Sequence, residues 1–378
     1  MKQPLAALVV TTIGNGQFLG VYAERFKHSE VLDRVKVYVI PDLKTPSSVF
    51  EQCGKLQKAG VSIVCPSIQE QETYLAKLGI ANLIAYNSDH RRNVGFLMAL
   101  GGECNYMISI DDDNLCQDGG EFVEEHAIVC QGERELEVVD SPSGWYNICE
   151  LLETRPANVY PRGFPYRFRH SSNQSSRHSE TGIVHLNAGL WLQEPDLDAI
   201  TWLASPAIAC SFRGPSVVLS RDTWSPVNTQ NTALHRDAVA AFYFVSMAHS
   251  IGGMQMGRYG DIFSGYFCQA CIRHLGYRLR VGAPVVNHMR NRHNYLLDLN
   301  QELPCIWLLE DIAEWLRELR LQGKSYAEAY LCLADAMEQA VEKFRGFIWS
   351  DSARSWFHET ARDMRLWIQA VRAVGGLP

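Results

Sequence analysis

Short apolar runs alternate with stretches of helical spacing through the first 110 residues of the chain. The runs AALVVTT, VKVYVI, VSIVC and YMISI are typical of buried strands, and Gly, Pro or Asp follows most of them. Between the runs, apolar residues recur every three or four positions, which predicts helices at about 17–26, 48–59, 70–78 and 92–100. Strands that alternate with helices predict an α/β fold, with a mostly parallel sheet flanked by helices on both faces.

The pattern changes twice along the rest of the chain. From about 119 to 220 it is irregular, and its Ser-rich part predicts a mobile loop. Helical spacing returns at about 238–248 and 263–275, and VGAPVVNH predicts one more strand. Helices are predicted at about 304–321, from Ser325 in a capping box, and at about 352–374. We therefore expect a domain over 1–300 and a C-terminal helical arm over 301–378 that packs on it.

Composition narrows the class of protein. The 378 residues are 47% hydrophobic and 20% charged, and the net charge of −7 does not favour a nucleic-acid or membrane-surface partner. The apolar run that ends at Val10 is too short to span a bilayer, and we interpret it as a strand rather than a signal peptide. The 11 cysteines lack zinc-type spacing, which indicates a reducing, cytoplasmic compartment. Cys268 and Cys271 have helical spacing and are expected in the core. The sequence is also compatible with assembly into a homo-oligomer.

An acidic triplet is the sharpest chemical signal. Asp111, Asp112 and Asp113 directly follow the predicted strand YMISI, and ligands of open α/β sheets bind at the carboxyl ends of strands. Three adjacent carboxylates repel one another unless a cation lies among them, so we expect Mn²⁺ or Mg²⁺ held by Asp111 and Asp113. A solvated acidic turn is the alternative. A calcium loop is excluded, because its sixth and twelfth positions would be Cys116 and Phe122.

Other polar residues follow or precede the predicted strands. His288 ends an apolar strand and is either a structural histidine or an extra metal ligand. Asp261 is either a sugar anchor or a helix N-cap. The residues expected to contact a nucleotide, together with Asp111 and Asp112, are Thr11, Thr12, Asp42, Lys44, Arg92 and Asn93. Asp42 either accepts a hydrogen bond from the base or belongs to a turn formed with Pro41. Arg92 and Asn93 belong either to a diphosphate site at a helix N-terminus or to a basic surface turn.

Five longer motifs carry a resemblance to a known family. SIDDDN, PRGFPYRFR, HLNAGLWLQEPDLDA, GRYGDIFSGYFCQACIRHLG and VGAPVVNH occur in this order over nearly the whole chain. With them the chain resembles the plant-type reversibly glycosylated polypeptides, which include the UDP-arabinopyranose mutases. The resemblance implies a GT-A-type fold, Rossmann-like in its sheet, over residues 1–300. It also implies a bound nucleoside diphosphate sugar whose metal is held by the acidic triplet.

The resemblance also implies roles for two arginines and one acid. Arg162 matches the arginine that the family glycosylates, Arg169 matches a second functional arginine, and Asp261 matches one acid of a catalytic pair. The other acid is replaced here by Gly260, which puts any role that needs both in doubt. The residues alone favour a simpler role for the arginines, as a two-point clamp on a diphosphate. The Ser-rich segment after Arg169 departs from the family pattern and leaves a different acceptor open.

These observations predict a metal-dependent glycosyltransferase that uses a nucleoside diphosphate sugar, which we expect to be a UDP-sugar. The sugar would pass to a small-molecule acceptor or to the protein itself. One alternative is a mutase that interconverts the pyranose and furanose forms of a UDP-pentose. The other is a non-catalytic nucleotide-sugar-binding scaffold, which the missing acid at Gly260 keeps open.

Overall fold

The computed structural model describes residues 5–118, 121–169 and 174–375, and 13 strands within these ranges form one sheet. The strands of the chain are β1 (Ala6–Thr12), β2 (Val35–Pro41), β3 (Ile63–Val64), β4 (Tyr106–Ile110), β5 (Asn114–Cys116), β6 (Arg134–Asp140), β7 (Leu152–Arg155), β8 (Ser176–Gly182), β9 (Val184–Gln193), β10 (Ile208–Phe212), β11 (Val217–Leu219), β12 (Asn231–His235), β13 (Ser250–Ile251), β14 (Met254–Gln255) and β15 (Arg278–His288). The pair β13–β14 forms a separate hairpin.

The order β3-β2-β1-β4-β12-β9-β15-β11-β6-β8 runs through the large sheet, and β5, β7 and β10 pair beside it. The four strands β1 to β4 are parallel, whereas beyond β4 the sheet is mixed. Two antiparallel steps, from β4 to β12 and from β12 to β9, restore the original direction, and β15 is parallel to β9. The carboxyl end of β15 therefore reaches the same edge of the sheet as those of β1, β2 and β4.

Helices cover the sheet, and the expected α/β class is confirmed. They are α1 (Phe18–His28), α2 (Ser47–Lys58), α3 (Ile68–Lys77), α4 (Arg92–Leu100), α5 (Phe122–His126), α6 (Ala199–Ala204), α7 (Gly260–His274), α8 (Tyr295–Glu318), α9 (Tyr326–Ala340) and α10 (Asp351–Ala373). None of the described helices is long and apolar enough to cross a membrane.

The helix α4 lies unusually close to the sheet because Gly95 has no side chain. A Cβ at Gly95 would lie 2.5 Å from Cγ1 of Val9 in β1 and 2.9 Å from Cγ1 of Ile40 in β2. Such a distance is shorter than any van der Waals contact, so this approach requires glycine. The close packing fixes the first turn of α4, which begins at Arg92, beside the carboxyl end of β4.

Two predicted helices need correction. The segment 238–248 forms only a 3₁₀ helix at Arg236–Ala241, because every side chain from Ala238 to Val245 is buried and the run has no polar face for an amphipathic helix. The helix expected from Pro304 begins nine residues earlier, at Tyr295, where the Asn294 side chain caps it. Pro304 lies inside this helix.

The irregular middle of the sequence also contains more structure than expected. Strands β6 to β11 lie there, and the later part of the Ser-rich segment pairs with β6 as β8. Residues 170–173 of the predicted mobile loop lie outside the described residues. Cys268 and Cys271 are both buried on α7, as expected.

The C-terminal helices pack on the 3₁₀ segment and on α7. Trp367 of α10 is fully buried, its ring lies 5.8 Å from that of Tyr243, and its Nε1–H donates to the carbonyl oxygen of Ala240 at 3.0 Å. Ser325 caps α9 by accepting from the backbone N–H of Glu328. The division at residue 300 that the sequence suggests falls inside α8.

We predict that Trp367→Ala lowers the free energy of unfolding by about 3–5 kcal/mol, since it leaves a large cavity and an unpaired carbonyl in the core. Urea denaturation followed by circular dichroism measures the change. Phe347→Ala is the control, because Phe347 is 80% exposed, and it should change stability by less than about 1 kcal/mol. Equal effects of the two variants would contradict this account of α10.

Candidate functional site

The three acids that follow β4 turn in different directions, because the chain reverses between β4 and β5. Asp112 turns toward β1, where the Thr12 hydroxyl donates to its Oδ2 at 2.5 Å. The same hydroxyl oxygen accepts the backbone N–H of Gly14 at 3.0 Å. Asp112 and Thr12 therefore fasten the loop after β1 to the loop after β4.

Asp111 is paired with Arg92 from the first turn of α4. Nη2 of Arg92 lies 2.5 Å from Oδ1 of Asp111, and Nη1 donates to the Ser109 hydroxyl at 2.6 Å and to the Ile110 carbonyl at 2.8 Å. Burial raises the pKa of Asp111 to about 7, although the charge of Arg92 opposes this rise. The Thr11 hydroxyl lies 3.4 Å from Nη2 of Arg92. Thr11, Arg92 and Asp111 thus meet at the strand ends, with the guanidinium engaged by protein acceptors.

Asp113 faces His288, since β5 pairs with β15 in the register Asn114 to His288. Nδ1 of His288 lies 2.6 Å from the backbone carbonyl oxygen of Glu194, which can only accept. Nδ1 therefore carries a proton, and the other ring nitrogen, Nε2, faces Oδ1 of Asp113 at 3.6 Å. Burial alone would raise the pKa of Asp113, but its contact with His288 holds that pKa below the usual value.

This pair has the chemistry of a divalent metal site. A neutral imidazole whose other nitrogen donates to a carbonyl is the usual form of a metal-bound histidine. Among the described residues, no cluster of three or more His, Cys, Asp and Glu side chains forms a complete metal cage. Mg²⁺ and Mn²⁺ need few protein ligands when substrate phosphate oxygens complete the shell, so Asp113 and His288 fit such an ion.

Asp42 and Asn93 shape the loops at this edge. Oδ1 of Asp42 accepts the N–H of Leu43 at 2.7 Å, and Oδ2 accepts the N–H of Ser88 at 3.1 Å, so Asp42 joins the loop after β2 to the segment before α4. Lys44 in the same loop is exposed. Asn93 is fully buried and exchanges two 2.9 Å hydrogen bonds with the backbone of Phe244.

Arg162 lies in a buried ion cluster near the acidic triplet. A guanidinium has five N–H groups, and here all five donate: two to the carboxylate of Asp196, two to that of Asp261, and one to the carbonyl of Arg258. The bonds to Asp196 are 2.9 and 3.0 Å long, and those to Asp261 are 3.1 and 2.9 Å. Burial disfavours its charge, but the two carboxylates outweigh that effect and raise the pKa of Arg162 well above its usual value.

Asp261 is the second residue of α7 and does not cap it, since Tyr259 occupies the N-cap position, without a side-chain capping bond. Its neighbour Gly260 could not carry the acid that the family pattern has there. A Cβ at Gly260 would lie 2.5 Å from both the Phe244 ring and the carbonyl oxygen of Val245. The charge of Asp261 also raises the pKa of Asp111, so the ion cluster and the acidic triplet lie within electrostatic reach of each other.

Arg169 forms a second buried ion pair. Its guanidinium donates to Asp198 and lies 3.6 Å above the centre of the Tyr166 ring. Asp198 also accepts from the Tyr166 hydroxyl at 2.9 Å and caps α6 through the N–H of Thr201 at 2.8 Å. The motif PRGFPYRFR is thus tied to α6 by Arg169.

The helix α8 supports this motif from outside with a row of acids. Glu302 accepts from Arg258 at 2.9 Å and from the N–H of Ala199 at 2.7 Å. Two turns further along, Glu310 accepts the N–H of Tyr166 at 2.5 Å. The helix therefore closes the hydrogen bonds of loops that surround the ion cluster.

Sequence reasoning missed the acids that pair with the two arginines. Asp196 and Asp198 stand in the quoted motif HLNAGLWLQEPDLDA, and both are fully or almost fully buried. The signal was present, because two acids in an otherwise apolar segment need buried partners of opposite charge. Which arginines those are depends on the fold.

Comparisons with known proteins agree with the order of the motifs. A family model described as "Reversibly glycosylated polypeptide" matches residues 68–376. Probable UDP-arabinopyranose mutase 4 of Arabidopsis thaliana is 25% identical over 296 residues, which cover 77% of this chain and 73% of that protein. UDP-arabinopyranose mutase 1 of Oryza sativa subsp. japonica is 25% identical over 295 residues, with the same two coverages.

Solved structures give a looser similarity. Glucosyl-3-phosphoglycerate synthase from Mycobacterium tuberculosis, in complex with Mn²⁺ and uridine-diphosphate-glucose, matches with a TM-score of 0.41 and 10% identity, over 82% of this chain and 79% of that chain. The mannosyltransferase PcManGT from Pyrobaculum calidifontis, in complex with GDP-Man and Mn²⁺, matches with a TM-score of 0.40 and 11% identity, over 99% and 87% of the two chains.

We predict that Arg162→Ala lowers the free energy of unfolding by about 3–5 kcal/mol, because it leaves two buried carboxylates without their cation. Chemical denaturation at neutral pH measures the change. Arg167→Ala removes a 39% exposed arginine from the same motif and should cost at most about 1 kcal/mol. A loss for Arg162→Ala no larger than the loss for Arg167→Ala would show that the cluster contributes little to stability.

Proposed function

Since the chain belongs to the reversibly glycosylated polypeptide family, we propose that it is an enzyme that acts on a nucleoside diphosphate sugar with the help of a divalent metal. The observation that carries this proposal is the pair Asp113 and His288. Nε2 of His288 and a carboxylate oxygen of Asp113 face each other at the carboxyl edge of the sheet, where α/β folds bind nucleotides.

Mn²⁺ or Mg²⁺ at this pair would neutralise charge on the diphosphate as a Lewis acid. Around it, the remaining acids hold the site in shape. Asp111 is neutralised by Arg92, and Asp112 is fastened to Thr12, so neither turns its charge fully toward the diphosphate. This arrangement leaves Asp113 as the carboxylate that faces His288.

We further propose that the nucleotide lies across the ends of β1 and β2. Asp42 would accept from a ring N–H of the base, Lys44 would reach the ligand from the same loop, and Thr11 and Thr12 would line the floor. The sugar would then point toward Asp261 and the arginines. In this proposal residues 1–300 carry the GT-A-type nucleotide-sugar site and residues 301–378 pack on it.

Ring isomerisation is the reaction that we propose first. The relatives named above are UDP-arabinopyranose mutases, and we propose that this chain likewise interconverts pyranose and furanose forms of a UDP-pentose. The reaction breaks the bond between the anomeric carbon and a phosphate oxygen. On that carbon the 4-hydroxyl oxygen then replaces O5, so the C1–O4 bond forms, the C1–O5 bond breaks, and the proton of the 4-hydroxyl passes to O5. The bond to the phosphate oxygen re-forms at the end, so the reaction needs no separate acceptor. The buried charges of the Arg162 cluster suit a reaction whose intermediate must not meet water.

Glycosyl transfer to an acceptor is the second candidate and uses the same metal and the same donor. Whether the acceptor is a small molecule or a residue of the protein itself depends on which groups can reach the space beside the ion cluster. We also propose a reducing, cytoplasmic compartment, because the chain has an odd number of cysteines, 11, scattered without zinc-type spacing. Scaffold function without turnover is the third candidate, and it rests on Gly260 in place of an acid.

We predict that turnover of a panel of UDP-sugars requires a divalent metal. Asp113→Asn and His288→Gln should each lower kcat by at least about 100-fold, because each variant removes one of the two protein ligands of the metal. Separation of the products by chromatography distinguishes ring isomers from transfer or hydrolysis. Arg292→Gln, which changes an exposed residue of the same segment, is the control. Full turnover in excess chelator would remove the metal from the proposal, and binding without turnover would favour the scaffold.

We also predict that intact-protein mass does not increase by a sugar unit at Arg162 after incubation with UDP-sugar and Mn²⁺. All five of its N–H groups donate within the cluster, and its raised pKa keeps it protonated, so no nitrogen lone pair is available for attack. Mass spectrometry of the intact chain and of its peptides provides the measurement. A sugar on the peptide that contains Arg162, lost in Arg162→Lys, would prove this expectation wrong.

A further inference from the structure

One arginine beside the ion cluster differs from the others in having no anionic partner. Arg162, Arg169 and Arg258 are each paired with carboxylates. Arg290 is not. Within the described ranges no carboxylate oxygen lies within ion-pair distance of its guanidinium, although the charge of Asp196 acts on it from farther away, and its buried Nη1 has no hydrogen-bond partner. A guanidinium that is partly withdrawn from water and left unpaired is costly, which indicates a position kept for an anion that is not part of the protein.

The surroundings of Arg290 fix its position without using its hydrogen-bonding capacity. Its backbone N–H donates to Oε2 of Glu194 at 2.7 Å. The guanidinium carbon lies 4.8 Å from the centre of the Trp202 ring and 5.7 Å from that of Tyr295. Aromatic faces hold an arginine by its plane and leave the N–H groups on its rim available. The arrangement is that of a cation presented to a ligand.

The location of Arg290 connects it with the proposed metal pair. It stands two residues after His288, and Glu194 bonds both residues: its carbonyl accepts from His288 and its carboxylate from Arg290. On either side of Arg290, the N–H of Met289 donates to the carbonyl oxygen of Asp113 at 2.8 Å, and Nδ2 of Asn291 lies 3.4 Å from its Oδ2. The segment that carries Arg290 is thus folded against Asp113.

We propose that Arg290 binds the diphosphate of the nucleotide sugar and holds it after the sugar has detached. This inference rests on the function proposed above. When the bond between the anomeric carbon and the β-phosphate oxygen breaks, its electron pair stays on the oxygen, and the diphosphate gains one negative charge. A planar guanidinium pairs with that charge at two points. While the diphosphate is held, the 4-hydroxyl oxygen replaces O5 on the anomeric carbon, and its proton passes to O5. The same phosphate oxygen then returns its electron pair to the anomeric carbon, and the bond re-forms.

Retention of the diphosphate is what separates isomerisation from loss of the sugar to water. If the diphosphate drifts away before recapture, water adds to the anomeric carbon, loses a proton, and gives free sugar. A cation that binds the detached diphosphate more tightly than the intact donor therefore favours recapture. Arg290 would act mainly on the ratio of the two products, and Asp113 and His288 mainly on whether any reaction occurs.

Calorimetric titration of UDP in the presence of Mn²⁺ tests this proposal on the full-length chain. We expect Arg290→Gln to weaken UDP binding about tenfold or more, and Arg290→Lys to recover part of the loss because it keeps the charge but not the planar fork. Arg292→Gln is the matched control, since Arg292 is an exposed arginine of the same segment, and it should stay within about twofold of the wild type. Uridine, which has no phosphate, should bind equally to all four proteins.

Two further measurements separate ligand binding from a structural role. Removal of an unpaired, partly buried charge should leave the thermal unfolding midpoint of the free Arg290→Gln variant equal to or above that of the wild type, whereas loss of a structural contact would lower it. In product analysis the variant should release a larger share of free sugar. Equal UDP affinities of wild type and Arg290→Gln, or parallel losses of uridine binding and thermal stability, would overturn the role of Arg290. Wild-type protein that binds no UDP with Mn²⁺ would instead overturn the proposed function itself.

Discussion

The bidentate pairing of the Arg162 guanidinium with two buried carboxylates is the interaction on which the rest of the site depends. It joins the PRGFPYRFR motif to the segment before α6 and to the start of α7. Asp196, in the segment before α6, is 34 positions from Arg162 in the sequence, and Asp261, at the start of α7, is 99 positions away. Ionic groups in the interior are tolerated when each finds its partners, and here every N–H of one cation is satisfied. The side of the site that contains Arg162 is therefore a preformed wall rather than a flexible loop.

The side chains of the acidic triplet are likewise held by specific partners. Three neighbouring carboxylates of one turn have three different partners: a guanidinium for Asp111, a hydroxyl for Asp112 and an imidazole for Asp113. Each carboxylate is therefore held by its own partner, and the three side chains are kept apart. The turn between β4 and β5 makes this division geometrically feasible, since it spreads the three side chains toward α4, β1 and β15.

The sequence pattern predicted the elements that depend on local order, and it failed where distant residues decide. Strands β1, β2 and β4 and the capped helix at Ser325 follow from apolar spacing and capping residues alone. The segment 238–248 reads as helix by spacing, but burial on all sides and the bonds of Asn93 to Phe244 give it another form. The roles of Asp196 and Arg290 could not be predicted, because a charged residue does not reveal whether a partner of opposite charge lies beside it in the fold.

The row of acids on α8 has a consequence for the size of the folding unit. A helix of 24 residues is about 36 Å long, and this one begins next to the segment of Arg290 and ends among the C-terminal helices. Its acids accept hydrogen bonds from Arg258, from the backbone before α6 and from the backbone of Tyr166. A chain shortened at residue 300 would leave these donors exposed to solvent or unsatisfied. The helix α8 therefore belongs to the same folding unit as the site, and the smallest fragment able to fold with the site intact must contain this helix.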